Sequence, residues 1–332
     1  MEVNDSNLYA YSAYYDDRKR LTSAKEGDDP IVRINVLAPK EFKYKNKNTL
    51  CLVKLTNGRI FMVNVHVVQI LEHFGMKWTS YFVNCKLTQI ITRKLHRPNS
   101  AGSPEHSPNK IDKQLIHTVV LVNNDEDLSN YKNTSDSELK VHMPKSYTPN
   151  ITNTTSILPK QSNQLAICIK PIHLNWNRAI WLVEFIEMYR LLGKLWNKYH
   201  KTALKTKLDT FLWLRLWQPL ILGSTQFFIY VHSAGPDVID VLAYYTKLQL
   251  VTALEWNLPV QSQKDVRTEA QFSSLNDCNM RTYVNQFEYA AMVDFDEFII
   301  PKAGANLLEL IGNLYNDSSC TNMIKTSLKT RI

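Results

Sequence analysis

Ala290-Ala-Met-Val293-Asp294-Phe295-Asp296-Glu297-Phe298 is the stretch whose reading decides this chain. Ala290 to Val293 is a short apolar run of the kind that forms a buried strand, and two carboxylates follow it directly. Alternate residues of a strand share a face, so the spacing predicts Asp294 and Asp296 projecting together while Phe295 turns into the opposite layer. Two carboxylates about 4 Å apart repel by roughly 4 kcal/mol at an effective dielectric of about 20. A divalent cation reverses that sign, and hard oxygen ligands suit Mn²⁺ or Mg²⁺, which can also bridge to substrate phosphates. The spacing alone is common. Asp125-Glu126-Asp127 repeats it in polar surroundings and reads as a solvated charge run. The Asp294 pair differs by its place at the carboxyl end of an apolar strand, where α/β proteins put ligands. On that setting a metal site and a plain surface pair are both open.

Working outward, Leu165-Ala-Ile-Cys-Ile169 ahead of Lys170-Pro171, Phe227-Phe-Ile-Tyr-Val231 and Leu248 to Leu254 read as further buried strands. Between them lie helical spacings. Ala179 to Leu192 carries Ile180, Val183 and Ile186, with Glu184 and Glu187 as structural or solvated groups. Asp237 to Lys247 carries Val238, Val241, Leu242 and Tyr245 on one stripe, and Thr268 to Phe287 forms a further long helix. Strands alternating with helices predict an α/β fold, a mostly parallel sheet with helices on both faces.

The amino-terminal part has a different texture. Val32 to Val36 alternates with period two, and Leu50–Leu55 and Ile60–Val65 flank Thr56-Asn-Gly-Arg59, a strong hairpin signal. Leu115 to Val122 adds a strand. The expected organisation is a β-rich domain over 1–122, a polar linker or loop over 123–164, and an α/β domain over 165–332. Residues 194–223 interrupt the last of these. They are Trp-rich and carry a net +5 of the chain's formal +8. Excising them joins Gly193 to Ser224 by a short helix-to-strand turn, so they read either as a helical excursion or as sequence foreign to the fold.

Without that stretch the charge is ordinary, and no stacking motif accompanies it, which argues against a nucleic-acid partner. None of the five cysteines forms a Cys-x-x-Cys pair, which argues against zinc. Asn4, Asn133, Asn150, Asn153 and Asn316 begin Asn-x-Ser/Thr sequons, which favours a secretory compartment. The first thirty residues hold no apolar signal region, and the uncharged window Leu216–Pro236 is too polar for a membrane helix.

Taken together, several segments resemble glycosyltransferase family 92. They are Tyr9–Arg18, Cys168-Ile-Lys-Pro171, Val183–Gly193, Phe228–Ser233, Gln271–Cys278 and Val293–Pro301. The resemblance implies a GT-A-like, Rossmann-like fold, a UDP-sugar donor with galactose foremost, Mn²⁺ or Mg²⁺, an inverting transfer and a glycan or glycoprotein acceptor. By the same resemblance Asp294 and Asp296 match the metal ligands. Lys170, Ser233, Asp237, Arg267, Gln271 and Asp277 fall at donor-side positions, each with a plain capping or surface role as the alternative. Cys168 and Cys278 match recurring cysteines, without a connectivity. The family continues past its paired aspartates, so the acceptor site and general base are expected C-terminal to this chain, and no catalytic residue is assigned. A membrane anchor of a type II Golgi enzyme is expected ahead of it. The rival expectation is a secreted carbohydrate- or nucleotide-binding module that keeps only the donor half.

Overall fold

In the β-rich part, alternation dictates the core. Val32, Ile34, Val36 and Ala38 are fully buried at every second position of one strand, as period-two patterning requires when one face is inward. The computed structural model describes residues 2–3, 8–18, 30–42, 49–70, 75–90, 116–123, 138–144, 165–193, 225–260, 263–300, 307, 310 and 311. The 194–223 segment, Asp125–Asp127 and all five sequon asparagines lie outside them. The chain divides into two compact units, Met1–Thr152 with Leu258–Met280, and Asn153–Asn257 with Arg281–Ile332.

The first unit holds β1 (Glu2–Val3), β2 (Leu8–Asp16), β3 (Ile31–Pro39), β4 (Thr49–Leu55), β5 (Ile60–Gln69), β6 (Trp78–Ile90), β7 (Ile116–Asn123) and β8 (Leu139–His142). The sheet order is β1-β2-β3-β6-β5-β4-β7-β8, and a parallel β2–β8 pairing brings the sheet back onto itself. The Asn57-Gly58 hairpin forms as expected. Gly58 has φ of 80°, and Leu55 and Gly58 close the turn by backbone hydrogen bonds. Cys51 on β4 and Cys85 on β6 form a disulfide spanning 34 residues, although β5 lies between those strands in the sheet. Two expectations change. Residues 123–164 are not all linker, because β8 supplies the closing strand. Residues 258–280 belong to this unit rather than to the α/β domain. Within it Asn35 donates to the Ser273 carbonyl at 2.8 Å and Ser273 Oγ donates to Asn35 Oδ1 at 2.8 Å. A pair of buried polar side chains satisfying each other leaves no trace in a hydropathy pattern.

The second unit is built on four strands, β9 (Leu165–Ile172), β10 (Thr225–Val231), β11 (Val251–Glu255) and β12 (Tyr289–Val293). All neighbours are parallel, in the order β11-β10-β9-β12. The chain therefore steps outward from β9 through β10 to β11, then returns to the other side of β9. The reversal falls between β9 and β12. Helices α1 (Ala179–Gly193) and α2 (Pro236–Lys247) pack on one face. There Leu182, Phe185, Ile186 and Tyr189 of α1 and Val238, Leu242 and Tyr245 of α2 join Ile167, Ile169, Phe227, Ile229 and Val293 in one core. Each such buried Leu, Ile or Phe contributes about 1.5–3 kcal/mol. The stripe on α2 is as predicted. That on α1 is rotated, with Ile180 73 % exposed and Leu182 and Phe185 inside. Glu187 accepts from Tyr245 Oη at 2.8 Å and from Arg190, tying α1 to α2. Helix α3 (Gln271–Val284), whose residues up to Met280 belong to the first unit, starts later than expected because residues 268–270 form a separate turn with positive φ.

Candidate functional site

In open α/β sheets, ligands bind outside the carboxyl ends of the strands, at the point where strand order reverses. Here that point lies between β9 and β12, and the register sets what stands there. Ile169 pairs with Val293, so the next residues along the two strands, Lys170 and Asp294, leave the sheet side by side. Lys170 Nζ donates to Asp294 Oδ2 at 2.5 Å, with the side chains 31 % and 37 % exposed. The pair is half in solvent. Lys170, expected at a donor-side position, stands beside the acidic turn.

The acidic motif does not continue the strand. β12 ends at Val293, and Asp294 to Glu297 make a tight turn. The Glu297 amide donates to the Asp294 carbonyl at 3.0 Å, and the Asp294 amide donates to Glu297 Oε2 at 3.0 Å. The expectation that Asp294 and Asp296 share one face of a strand is thus replaced by a turn that leaves Asp294 half-buried and Asp296 exposed. Phe295 behaves as expected and turns into the core. It stacks on Trp176 with ring centroids 5.1 Å apart and meets Phe185 edge-on at 5.4 Å. Tyr189 fastens the far side: its hydroxyl donates to the Glu297 carbonyl at 3.0 Å and accepts from the Ile299 amide at 3.2 Å. Burial pushes the Tyr189 phenol up, against the opposing hydrogen bond from Ile299. It therefore stays protonated and able to donate. A short acidic turn is in this way pinned at Phe295 and at Glu297, leaving its carboxylates outward.

Ser233 and Asp237 follow β10 in the same unit and are occupied in closing loops. Ser233 Oγ accepts from the Asn175 amide at 3.1 Å. Asp237 sits in the first turn of α2, where a carboxylate suits the helix dipole, and accepts from Asn177 Nδ2 at 2.8 Å. Asn177 Oδ1 in turn accepts from the amides of Asp237 at 3.0 Å and Val238 at 3.3 Å. The start of α2 is therefore capped by a side chain from the β9–α1 connection. Sequence reasoning missed Asn177, Trp176 and Tyr189. No local signal marks a cap supplied from 60 positions away.

Arg267, Gln271 and Asp277 belong to the first unit. Arg267 and Gln271 bound the turn 268–270 and accept through their carbonyls, from Ala270 N at 3.0 Å and Ser274 Oγ at 2.8 Å. Asp277, expected to face a donor, is fully buried. Its Oδ1 accepts from Tyr14 Oη at 2.6 Å and from Ser12 Oγ. A carboxylate with no surface, engaged by two hydroxyls, has a structural role. Cys168 and Cys278 are both fully buried and each is disulfide-bonded.

Among the described residues no group of three or more His, Cys, Asp or Glu is arranged to hold a metal ion by itself, and no helix is long and apolar enough to cross a membrane.

Sequence comparison adds to this geometry: residues 209–328 match the model of glycosyltransferase family 92. The match begins inside the 194–223 segment that was expected to be an interruption. The chain is also similar to a beta-1,4-galactosyltransferase, galt-1, of Caenorhabditis elegans. The two are 24 % identical over 327 residues, which is 98 % of this chain and 59 % of that protein's length.

Proposed function

We propose that this chain is the donor-binding part of a metal-dependent, GT-A-like glycosyltransferase. It would move a hexose, galactose foremost, from a UDP-sugar to a glycan or glycoprotein acceptor with inversion. The observation that carries this reading is the position of Asp294 at the carboxyl end of β12, beside Lys170 at the strand-order reversal. The family match and the relative's name, a galactosyltransferase, support the reaction class.

The donor set fits Mn²⁺ or Mg²⁺. Asp294 and Asp296 offer hard carboxylate oxygens on a pinned turn, one half-buried and one exposed. Among the described residues too few protein ligands are grouped to complete a coordination shell, which is the condition under which such ions keep waters and take substrate phosphates. Asp294 and Asp296 would hold the ion, and the chemistry supplied when it is bound is charge neutralisation on the departing diphosphate. Lys170 adds a second cation at the same end of the sheet. Trp176 and Phe185, through Phe295, keep the turn in place. The acceptor hydroxyl needs a general base, and no described residue is assigned to it. The Cys51–Cys85 disulfide supports an oxidising compartment, the secretory lumen.

Calorimetry of UDP binding with and without Mn²⁺ tests the reading. Asp296→Asn keeps the shape and removes one charge. It is expected to weaken Mn²⁺-dependent UDP binding at least about tenfold, or about 1.4 kcal/mol. Equal binding by wild type and Asp296→Asn would refute it.

A further inference from the structure

A half-exposed lysine rarely commits to one partner, because its flexible stem and strongly hydrated ammonium favour solvent. Lys170 is an exception that the backbone imposes. The β9–β12 register sets it beside Asp294. On its other side the β9–β10 pairing slips between Ile229 and Val231, and Pro171 follows it in the chain. Irregularities of this kind re-aim the neighbouring side chain. The ammonium rests on Oδ2 of Asp294.

A divalent ion on Asp294 would meet that ammonium at the same carboxylate, and like charges repel. The ammonium must leave before the metal arrives, and it needs an acceptor elsewhere. A diphosphate supplies one, since lysine binds phosphate as a point charge.

We propose that Lys170 is a resident counter-ion: it neutralises Asp294 in the empty protein and is transferred to the diphosphate of an incoming nucleotide, so that a divalent metal binds this turn only together with the nucleotide. This rests on the metal reading above and adds to it the order of events and the residue that sets it. Lys170 is a positioning residue in this scheme.

The test is Mn²⁺ binding to the full chain, read from the electron paramagnetic resonance signal of free Mn²⁺, with and without UDP. Wild type is expected to bind Mn²⁺ weakly alone and at least about tenfold more tightly with UDP. Lys170→Met keeps the apolar stem and removes the charge. It is expected to bind Mn²⁺ alone at least about tenfold more tightly than wild type, and to lose most of the UDP effect. A gain of metal affinity is not what damaged packing produces. Lys170→Gln is the second variant, with the same expectation should the methionine protein fail to fold. Lys170→Arg keeps the cation and is expected to stay near wild type. Unchanged Mn²⁺ affinity in Lys170→Met or Lys170→Gln, with the UDP effect intact, overturns the counter-ion and leaves the metal reading standing. No Mn²⁺ binding to any of these proteins, even with UDP, overturns both.

Discussion

Gly235 offers the sharpest test of how the switch-point loops are built. It precedes α2 with φ of −75° and ψ of 163°, a conformation open to any residue, so its backbone does not require glycine. Its surroundings do. A Cβ at position 235 would lie 2.3 Å from Cγ, 2.4 Å from Cβ and 2.4 Å from Oδ1 of Asn177. Gly235→Ala must therefore displace Asn177 or the backbone. Displacing Asn177 uncaps α2 at Asp237 and Val238 and frees the Asp237 carboxylate. Loss of a cap costs about 1 kcal/mol, and overpacking adds about 1–3 kcal/mol, so Gly235→Ala should cost about 2–4 kcal/mol. Asn177→Gly loses the cap alone, at about 1–2 kcal/mol. The relieving substitution has to be glycine, because alanine at 177 retains the Cβ that stands 2.4 Å from the new methyl group. The double variant should then cost no more than Asn177→Gly, giving a favourable coupling of about 2–4 kcal/mol. Urea denaturation of the four proteins, followed by circular dichroism, measures the cycle. Additive losses, or a Gly235→Ala protein within about 0.5 kcal/mol of wild type, would refute the account of this contact.

Two further outcomes follow from the first unit. Burial pushes the Asp16 carboxyl up, but the hydrogen bonds and charge of Arg18 and the charge of Arg33 outweigh it and hold the group below its ordinary value of 3.8. Its contribution to stability is complete above that value and is lost as pH falls through the lower folded one. Asp16→Asn should cost about 2–3 kcal/mol at neutral pH and progressively less below about pH 4; an equal loss at both ends of that range, by urea denaturation, would refute the sign. Reducing the Cys51–Cys85 disulfide, or replacing both cysteines with alanine, releases a loop of 34 residues and should destabilise the first unit by about 4 kcal/mol. Denaturation with and without reductant, compared with the double variant, checks it.

What the sequence disclosed tracks how local each signal is. The hairpin at Asn57-Gly58 is legible because its cause is two residues long. The central strands β9 and β10 are legible because they are buried on both faces and read as continuous apolar runs, whereas β11 and β12 alternate between buried and exposed positions; the α2 stripe is legible because helical period is a local property. The paired aspartates were found by their setting, yet their geometry was misjudged. Strand alternation was carried past Val293, where Phe295 and Glu297 have already bent the chain. Asp277 was misplaced for a related reason. Its helix looks amphipathic and adjacent to the site in sequence, but Tyr14 and Ser12 claim its carboxylate from more than 260 positions away. The Lys170–Asp294 pair needs a register between strands 124 residues apart, which no hydropathy pattern encodes.

The division of the chain at Thr152 and Leu258 has a consequence for synthesis. The first unit is discontinuous: β9, β10 and β11 are all translated before its last piece, residues 258–280, exists. When Thr152 leaves the ribosome, Asn35 still lacks Ser273, and Tyr14 and Ser12 lack Asp277. These are buried polar groups, and unmatched buried polar groups are costly. The nascent barrel must wait for these partners until more than a hundred further residues have emerged. A truncated 1–152 fragment would remain permanently in that waiting state.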